Sequence, residues 1–502
     1  MNNLALVLED TGRRESALGL LLLAAEIEPD LGVAHNNLGN SLREAGDLGA
    51  AEAALRRAIA LDPHHLTGHN NLGLVLRDKG DAAGAEAAFR EAMRLDPAHT
   101  APLTNLADVR LNRKDVDGAL ALLREALRLK PDDPVAYNGL GNALLKKGDV
   151  AGSEAACRRA IELGPKDHRP HANLGNALRA KGDLEAAGRA YRESLRLRPK
   201  NPPVVSNLGT ILRDQGDLDG AIALHREAVA LDPKYAAGFN NLGLALKDKG
   251  NLTGAVEAYR QAISLEPTLA TAHYNLGLTL RAGGDPRGAA AALREALKHD
   301  PNLAVAHIML GNVLRDLNDL RGALAAQREA VRLDPANPLA HLNLGNIHGD
   351  LDDHAAAVRS YREAIRLNPG YALAHFNLGL SLRDLGDAAG ARAALRESIR
   401  LNPNDARPHH GLGIVLEEDF DFPAAAAEYR EAVRLNPRHA QAHADLGTVL
   451  RKLGRVGEAV AAYREALTLN PALGVERSGL GYTVRLQQGL IPAAPPPREV
   501  TR

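Results

Sequence analysis

The sequence has no tryptophan, one cysteine, three methionines and five phenylalanines, and aromatic residues make up 3% of its 502 positions. A core built round large rings is therefore excluded. Whatever is buried must be aliphatic and alanine-rich, which suits helices that approach through small side chains. The lone Cys157 rules out an internal disulfide framework and fits a reducing, cytoplasmic compartment. A net charge of −1 argues against nucleic-acid binding by bulk electrostatics. No apolar run approaches the ~20 residues of a membrane span. Residues 18–25 are apolar, but Glu9, Asp10 and Glu15 precede them where a signal peptide would be basic. There is no phosphate loop, no GxSxG elbow, no CxxC pair and no HExxH, so neither an enzyme nor a bound metal or cofactor is predicted.

What the sequence does have is a period. Proline recurs every 34 residues without a slip, at 29, 63, 97, 131, 165, 199, 233, 267, 301, 335, 369, 403, 437 and 471. A fixed period of this length marks a helix-turn-helix solenoid, in which each unit buries its apolar face only against its neighbours. With the anchor proline as position 32, Gly32 opens the second repeat as position 1. Position 8 is small (Gly39, Gly73, Ala107, Gly141, Gly175 and onward to Gly447). Positions 20 and 27 are almost always alanine, as at Ala51 and Ala58, and position 7 is leucine. Position 24 is usually bulky: Leu55, Phe89, Tyr191, Tyr259, Tyr361, Tyr429, Tyr463. Cys157 occupies this slot too, which makes it a buried, inert thiol.

These marks together resemble the tetratricopeptide repeat family over nearly the whole chain. The resemblance implies an all-α, right-handed superhelix, an α-solenoid whose concave face is lined by the first helices. One departure is consistent: positions 4 and 11, often Trp or Tyr in that family, are here mostly His and Leu.

Local signals agree within each repeat. Gly46 suits the left-handed residue that ends a first helix, Asp47 can cap the second, and Asp62-Pro63 closes it. Lys114, Asn318, Asp352 and Phe420 stand in the glycine slot of four repeats, and small kinks are expected in the fourth and thirteenth. Residues 1–31 form an incomplete first repeat, 32–473 thirteen further repeats in one solenoid, 474–490 a capping helix, and 491–502 a Pro-rich, extended tail. Met1 falls at repeat position 4, so Leu4 and Leu8 have no preceding helix to cover them. The start lies upstream, the chain is cut from something larger, or this edge pairs with a partner, including a second copy of itself.

Three stripes could carry function. Position 6 is asparagine at Asn37, Asn71, Asn105, Asn173, Asn207, Asn241, Asn275, Asn343 and Asn377, interrupted at Gly139, Met309 and Gly411. Asparagine is a mediocre helix former, but a primary amide both donates and accepts. One per repeat could clamp an extended peptide backbone; alternatively the amides bridge neighbouring repeats. The ladder resembles that of the O-linked N-acetylglucosamine transferase repeats, where such amides hold peptide substrates. The catalytic domain that follows those repeats has no room here. Position 12 is basic at Arg43, Arg77, Arg179, Arg213, Lys247, Arg281, Arg315, Arg383 and Arg451, and position 13 is often Asp. The row could grip ligand carboxylates or pair with itself. Position 5 turns apolar at Tyr274, Ile308, Leu342 and Phe376, so that Tyr274, Ile308 and Phe376 could line an apolar stretch of groove or simply pack between helices. Histidine at position 4 (His35, His69, His171, His273 and others) lies one repeat apart, too far to share a metal ion.

The function expected is a non-catalytic scaffold binding protein or peptide segments, with no nucleic acid and no membrane. Two rivals remain open: a substrate-recruiting arm of a glycosyltransferase of that type with a separate or missing catalytic part, and a self-assembling rod.

Overall fold

The computed structural model describes residues 2–10 and 13–473. Among these residues are twenty-eight α-helices and a closing 3-10 turn, Pro471–Leu473, with no strand. The expected capping helix and tail lie outside the described residues. The chain divides into two compact units, Met1–Asn251 and Leu252–Arg502.

Each repeat is punctuated as its sequence dictates. In the second, helices Gly32–Ala45 and Leu48–Leu61 are separated by Gly46, whose φ of 88° is left-handed, and by Asp47. The Asp47 amide turns back to the carbonyl of Leu42, and its carboxylate accepts from the Ala50 N–H at 3.0 Å. The same side-chain cap recurs at Asp81, Asp115, Asp149, Asp183 and Asp217 in the first unit. In the second unit it recurs at Asp285, Asp319, Asp353, Asp387 and Asp421.

Where glycine is missing the turn survives. Lys114, Asn318, Asp352 and Phe420 adopt φ of 65°, 61°, 59° and 64°. The fourth and thirteenth repeats thus keep the common turn. A left-handed non-glycine residue costs ~1–2 kcal/mol, which the cap hydrogen bonds on either side offset.

Packing within a repeat rests on close approach at position 8. A Cβ added to Gly39, Gly73 or Gly175 would lie 2.5 Å from Leu55, Phe89 or Tyr191; in the second unit Gly345 and Gly413 stand the same way to Tyr361 and Tyr429, at 2.5 and 2.6 Å. Ala51, Ala58, Ala187 and Ala425 are fully buried. Cys157 lies against Gly141 in the same arrangement, and burial pushes its thiol up to about 11, as expected of an inert side chain. Between repeats, glutamates of second helices reach the following first helix, as Glu154 does to Lys181 at 3.0 Å. Successive first helices also pack directly on one another, as Gly32–Ala45 does on Leu66–Asp78 and Ala304–Asp316 on Pro338–Asp350. Successive second helices are not packed on one another in this way. Within each unit the first helices therefore line the inner side of the stack.

Two glycines of one repeat separate this packing from simple helix propensity. Gly175→Ala should cost ~1–3 kcal/mol by overpacking onto Tyr191. Gly188→Ala, whose new Cβ would meet nothing nearer than 3.6 Å, should be neutral or stabilising by up to ~1 kcal/mol. Urea titration followed by far-ultraviolet circular dichroism measures both, and equal shifts would contradict the packing described.

Candidate peptide-binding face

The position-6 asparagines are built into the seam between repeats. In the first unit Asn71 donates through Nδ2 to Asn36 at 3.1 Å, Asn105 to Asn70 at 2.9 Å, Asn173 to Asn138 at 2.8 Å and Asn241 to the Ser206 hydroxyl at 3.1 Å. Asn37 donates to Asn2 at 3.0 Å. The acceptor is position 5 of the preceding repeat. Where position 5 is Ala172 or Leu342, the acceptor moves to position 9: Asn207 donates to Asn176 at 3.3 Å and, in the second unit, Asn377 to Asn346 at 2.8 Å. Those acceptors also take the buried tyrosine hydroxyls, Tyr191 at 2.7 Å and Tyr361 at 3.0 Å.

The bridging alternative for these amides is thus a fact of the structure, and it does not use them up. Asn71, Asn105, Asn173, Asn207 and Asn377 are half-buried. Each spends one N–H on its neighbour, and a primary amide has a second N–H and a carbonyl to offer. Asn275 and Asn343 are more deeply buried, at 9% and 8% exposure. The partners at positions 5 and 9 are bridging residues that reading one helix at a time misses. The available signal is the Asn or Ser at position 5 in repeats followed by Asn at position 6.

The basic row pairs largely with itself. Arg43 meets Asp78 at 3.1 Å, Arg179 meets Asp214 at 3.5 Å, Arg213 meets Asp248 at 3.7 Å, and in the second unit Arg281 meets Asp316 at 2.9 Å. Arg315 pairs with Asp350 in the same way. Each of these links position 12 to position 13 of the next repeat. Arg77, Lys247 and Arg383 turn to the aspartate beside them, Asp78, Asp248 and Asp384. Such partly exposed pairs contribute ~0–1 kcal/mol each. Arg451 closes the row on helix Ala440–Lys452.

The apolar stretch of position 5 needs correction. Ile308 is only 4% exposed and packs against Ala330 and Ala340; Leu342 is 2% exposed. Position 5 lies in the seam where one first helix meets the next, and the alanines there let the side chain sink. Tyr274 is half-buried against the cluster containing Ala289 and Leu293. Phe376, also half-buried, lines a recess. With Leu380 and Ile414 it floors this space of about 260 Å³, and the Arg407 guanidinium lies 5.5 Å from its ring centroid. Through Leu380 and Arg407 this recess joins another of about 410 Å³ that includes Asn346 and Asn377.

The position-4 histidines have a structural task. The Nε2 of His35, His69, His273, His307, His341, His375 and His443 lies 2.9–3.1 Å from the carbonyl of the anchor proline six residues earlier. The ring N–H donates there and ties each first helix to its preceding loop. Among the described residues no group of side chains could hold a metal ion, and no helix is long and apolar enough to cross a membrane.

One buried histidine stands out. His225 fills position 24, fully buried, with Nδ1 3.1 Å from the Ser206 hydroxyl that Asn241 also meets. Burial, with Arg213 nearby, pulls its pKa down to about 4.

Family comparisons agree with this architecture. Residues 3–173 match a model described as the C-terminal domain of cilia and flagella-associated protein 70. Models described as TPR repeat match residues 209–250, 245–284 and 311–352. Tetratricopeptide repeat models match residues 342–406 and 411–473, 270–303, and 168–201. A comparison with curated proteins finds no significant match. Among solved structures the chain is similar to the APC/C hetero-tetramer Cut9-Hcn1, at 16% identity over 89% of this chain and 95% of that one, with a TM-score of 0.49. It is also similar to the human IFIT1 dimer with PPP-AAAA, at 19% identity over 74% and 90%, TM-score 0.44. For MamA the figures are 28% identity over 33% and 97%, TM-score 0.31.

The His225 site makes a pH prediction. Its pKa is lower folded than unfolded, so between about pH 6.5 and 4 the unfolded chain takes up a proton that the folded one refuses. Its contribution is complete above the unfolded value and is lost as the pH falls through that window, by roughly 3 kcal/mol in all. His225→Leu, which places here the residue that other repeats carry, should flatten acid destabilisation in that window. Parallel melting curves of the two proteins measure this, and identical pH profiles would contradict it.

Proposed function

Because the chain is a tetratricopeptide-repeat protein, we propose that it is a non-catalytic scaffold that holds extended peptide segments of protein partners along the inner face of its first helices. The observation that carries this reading is the half-committed amide ladder. Each bridging bond fixes the orientation of an asparagine whose remaining N–H and carbonyl can meet a foreign main chain. Bonds made to a backbone ignore side-chain identity, so the ladder supplies affinity and the flanking groups supply preference. The amides are pre-oriented, which lowers the entropy lost on binding. Arg179, Arg213, Arg315 and Arg383 flank the ladder as charged rims whose pairing with Asp can be exchanged for a ligand carboxylate.

A second reading, self-association, is favoured by one observation. Leu4, Leu22, Leu23 and Ile27 of the first repeat are each exposed. Concentration-dependent sedimentation that Leu22→Asp with Ile27→Asp abolishes would support it, and a concentration-independent monomer would remove it.

The peptide reading is tested by screening an immobilised peptide array with the wild type and with Asn173→Ala, Asn207→Ala and Asn241→Ala combined. Each lost hydrogen bond is worth ~0.5–1.5 kcal/mol, so affinity should fall by roughly tenfold or more across peptides of unrelated side chains. Asn138→Ala, which removes the bond that orients Asn173 and leaves that amide in the groove, should weaken binding by less than the triple variant does. Unchanged array binding by the triple variant, with helicity intact, would refute the clamp.

A further inference from the structure

The thirteenth repeat, with helices Ala406–Glu418 and Phe422–Leu435, departs from the common pattern at three positions. Gly411 stands where the ladder has asparagine. Glu417 stands where nine other repeats have Arg or Lys. Phe420 stands in the turn position where ten repeats have glycine, with a left-handed φ of 64° and 78% exposure.

The three departures meet in one trough of the second unit. Gly411 lines the recess over Phe376, Leu380 and Ile414. Ile414 is shared with an adjoining pocket of about 450 Å³ walled by Glu417, Glu418, Phe420 and Asp445. The single cation in that wall, Lys452, is already engaged: its Nζ donates to Glu417 at 2.9 Å and lies 4.8 Å from the Phe422 ring centroid. Asp445 is held by His410 and Gln441, both at 2.8 Å. Glu418 is exposed, and no cation pairs with it among the described residues. The trough thus has at one end an apolar floor, with Arg407 over the Phe376 ring and Arg383 at the wall, and at the other surplus negative charge beside the exposed Phe420 ring, which meets Phe422 edge-on.

We propose that this trough docks a partner segment in which a bulky apolar side chain lies beside an arginine or lysine. The apolar chain enters the recess over Phe376 and Leu380 beside Gly411. The cation lies between Glu418 and the face of Phe420, where carboxylate and ring quadrupole attract it together. The reversal from Arg to Glu at position 417 removes the basic row where a cation would otherwise be repelled. This inference rests on the reading that the inner face takes a peptide, and it names the side chains preferred at one end.

The test uses the full chain and a fluorescein-labelled nine-residue Gly/Ser peptide with a central Leu-Arg pair, read by anisotropy. Versions with Leu-citrulline, Ser-Arg and Leu-Glu are compared. Leu-Arg should bind tightest, by about fivefold over each. Glu418→Gln should bring Leu-Arg down to the Leu-citrulline level and leave Leu-citrulline unchanged. Phe420→Gly should weaken Leu-Arg binding and raise the melting temperature, because glycine relaxes the turn; weaker binding then cannot be blamed on unfolding. Equal binding of Leu-Arg and Leu-citrulline, or tighter binding of Leu-Glu, would overturn the proposal. Self-association of the wild type relieved by Phe420→Gly would overturn it as well, by giving the trough to a second copy. Asn343→Ala with Asn377→Ala should weaken every peptide alike. If that holds while the charge swaps are silent, the trough assignment fails and the ladder stands; if no peptide binds at millimolar concentration, both fail.

Discussion

A missing methyl group sets the geometry of each repeat. At position 8 of most first helices there is no room for a Cβ, because the side chain at position 24 lies directly against the backbone: Tyr191 on Gly175, Leu55 on Gly39, Tyr429 on Gly413. This contact fixes the two helices of a repeat as one rigid hairpin. It also explains how a chain almost without large rings makes a core. The hydroxyls of Tyr191, Tyr361 and Tyr463 in that slot donate to position 9, at Asn176, Asn346 and Thr448, and that of Tyr429 donates to Glu417. The core contact and the polar face are therefore one construction.

Rigid hairpins still have to be joined. On the inner face the joint is a hydrogen bond from position 6 to the preceding repeat, reinforced by the Arg-to-Asp pairs at the helix ends. Solenoid stability is a sum of such nearest-neighbour terms. The joint and the binding surface share side chains, so a ligand lying on the ladder would meet groups that the fold itself holds in place.

Much of this was legible in the sequence because the chain repeats it covalently. Period, helix ends, capping aspartates and the glycine turn all follow from residues a few positions apart, and even Lys114 and Phe420 can be recognised as occupying the turn. The partners of the asparagines were not legible. The pairing of Asn173 with Asn138 spans one repeat plus one residue, an offset that only the register between packed hairpins defines. The same limit misled the reading of position 5. On an isolated helix Ile308 lies on the polar side, but the next first helix covers that side, and Ile308 is buried beside Ala340. The burial of His225 was likewise hidden, since a histidine in a leucine slot carries no local mark.

The central claim is that ordered amides grip a foreign main chain and are indifferent to most of its side chains. N-methyl scanning of a bound peptide tests this most directly, because each substitution removes one backbone N–H and leaves the side chain in place. Loss of roughly tenfold in affinity at successive backbone positions, with little effect of alanine substitution at the same positions, is the result predicted. Affinity that is insensitive to N-methylation but falls on side-chain truncation would contradict it.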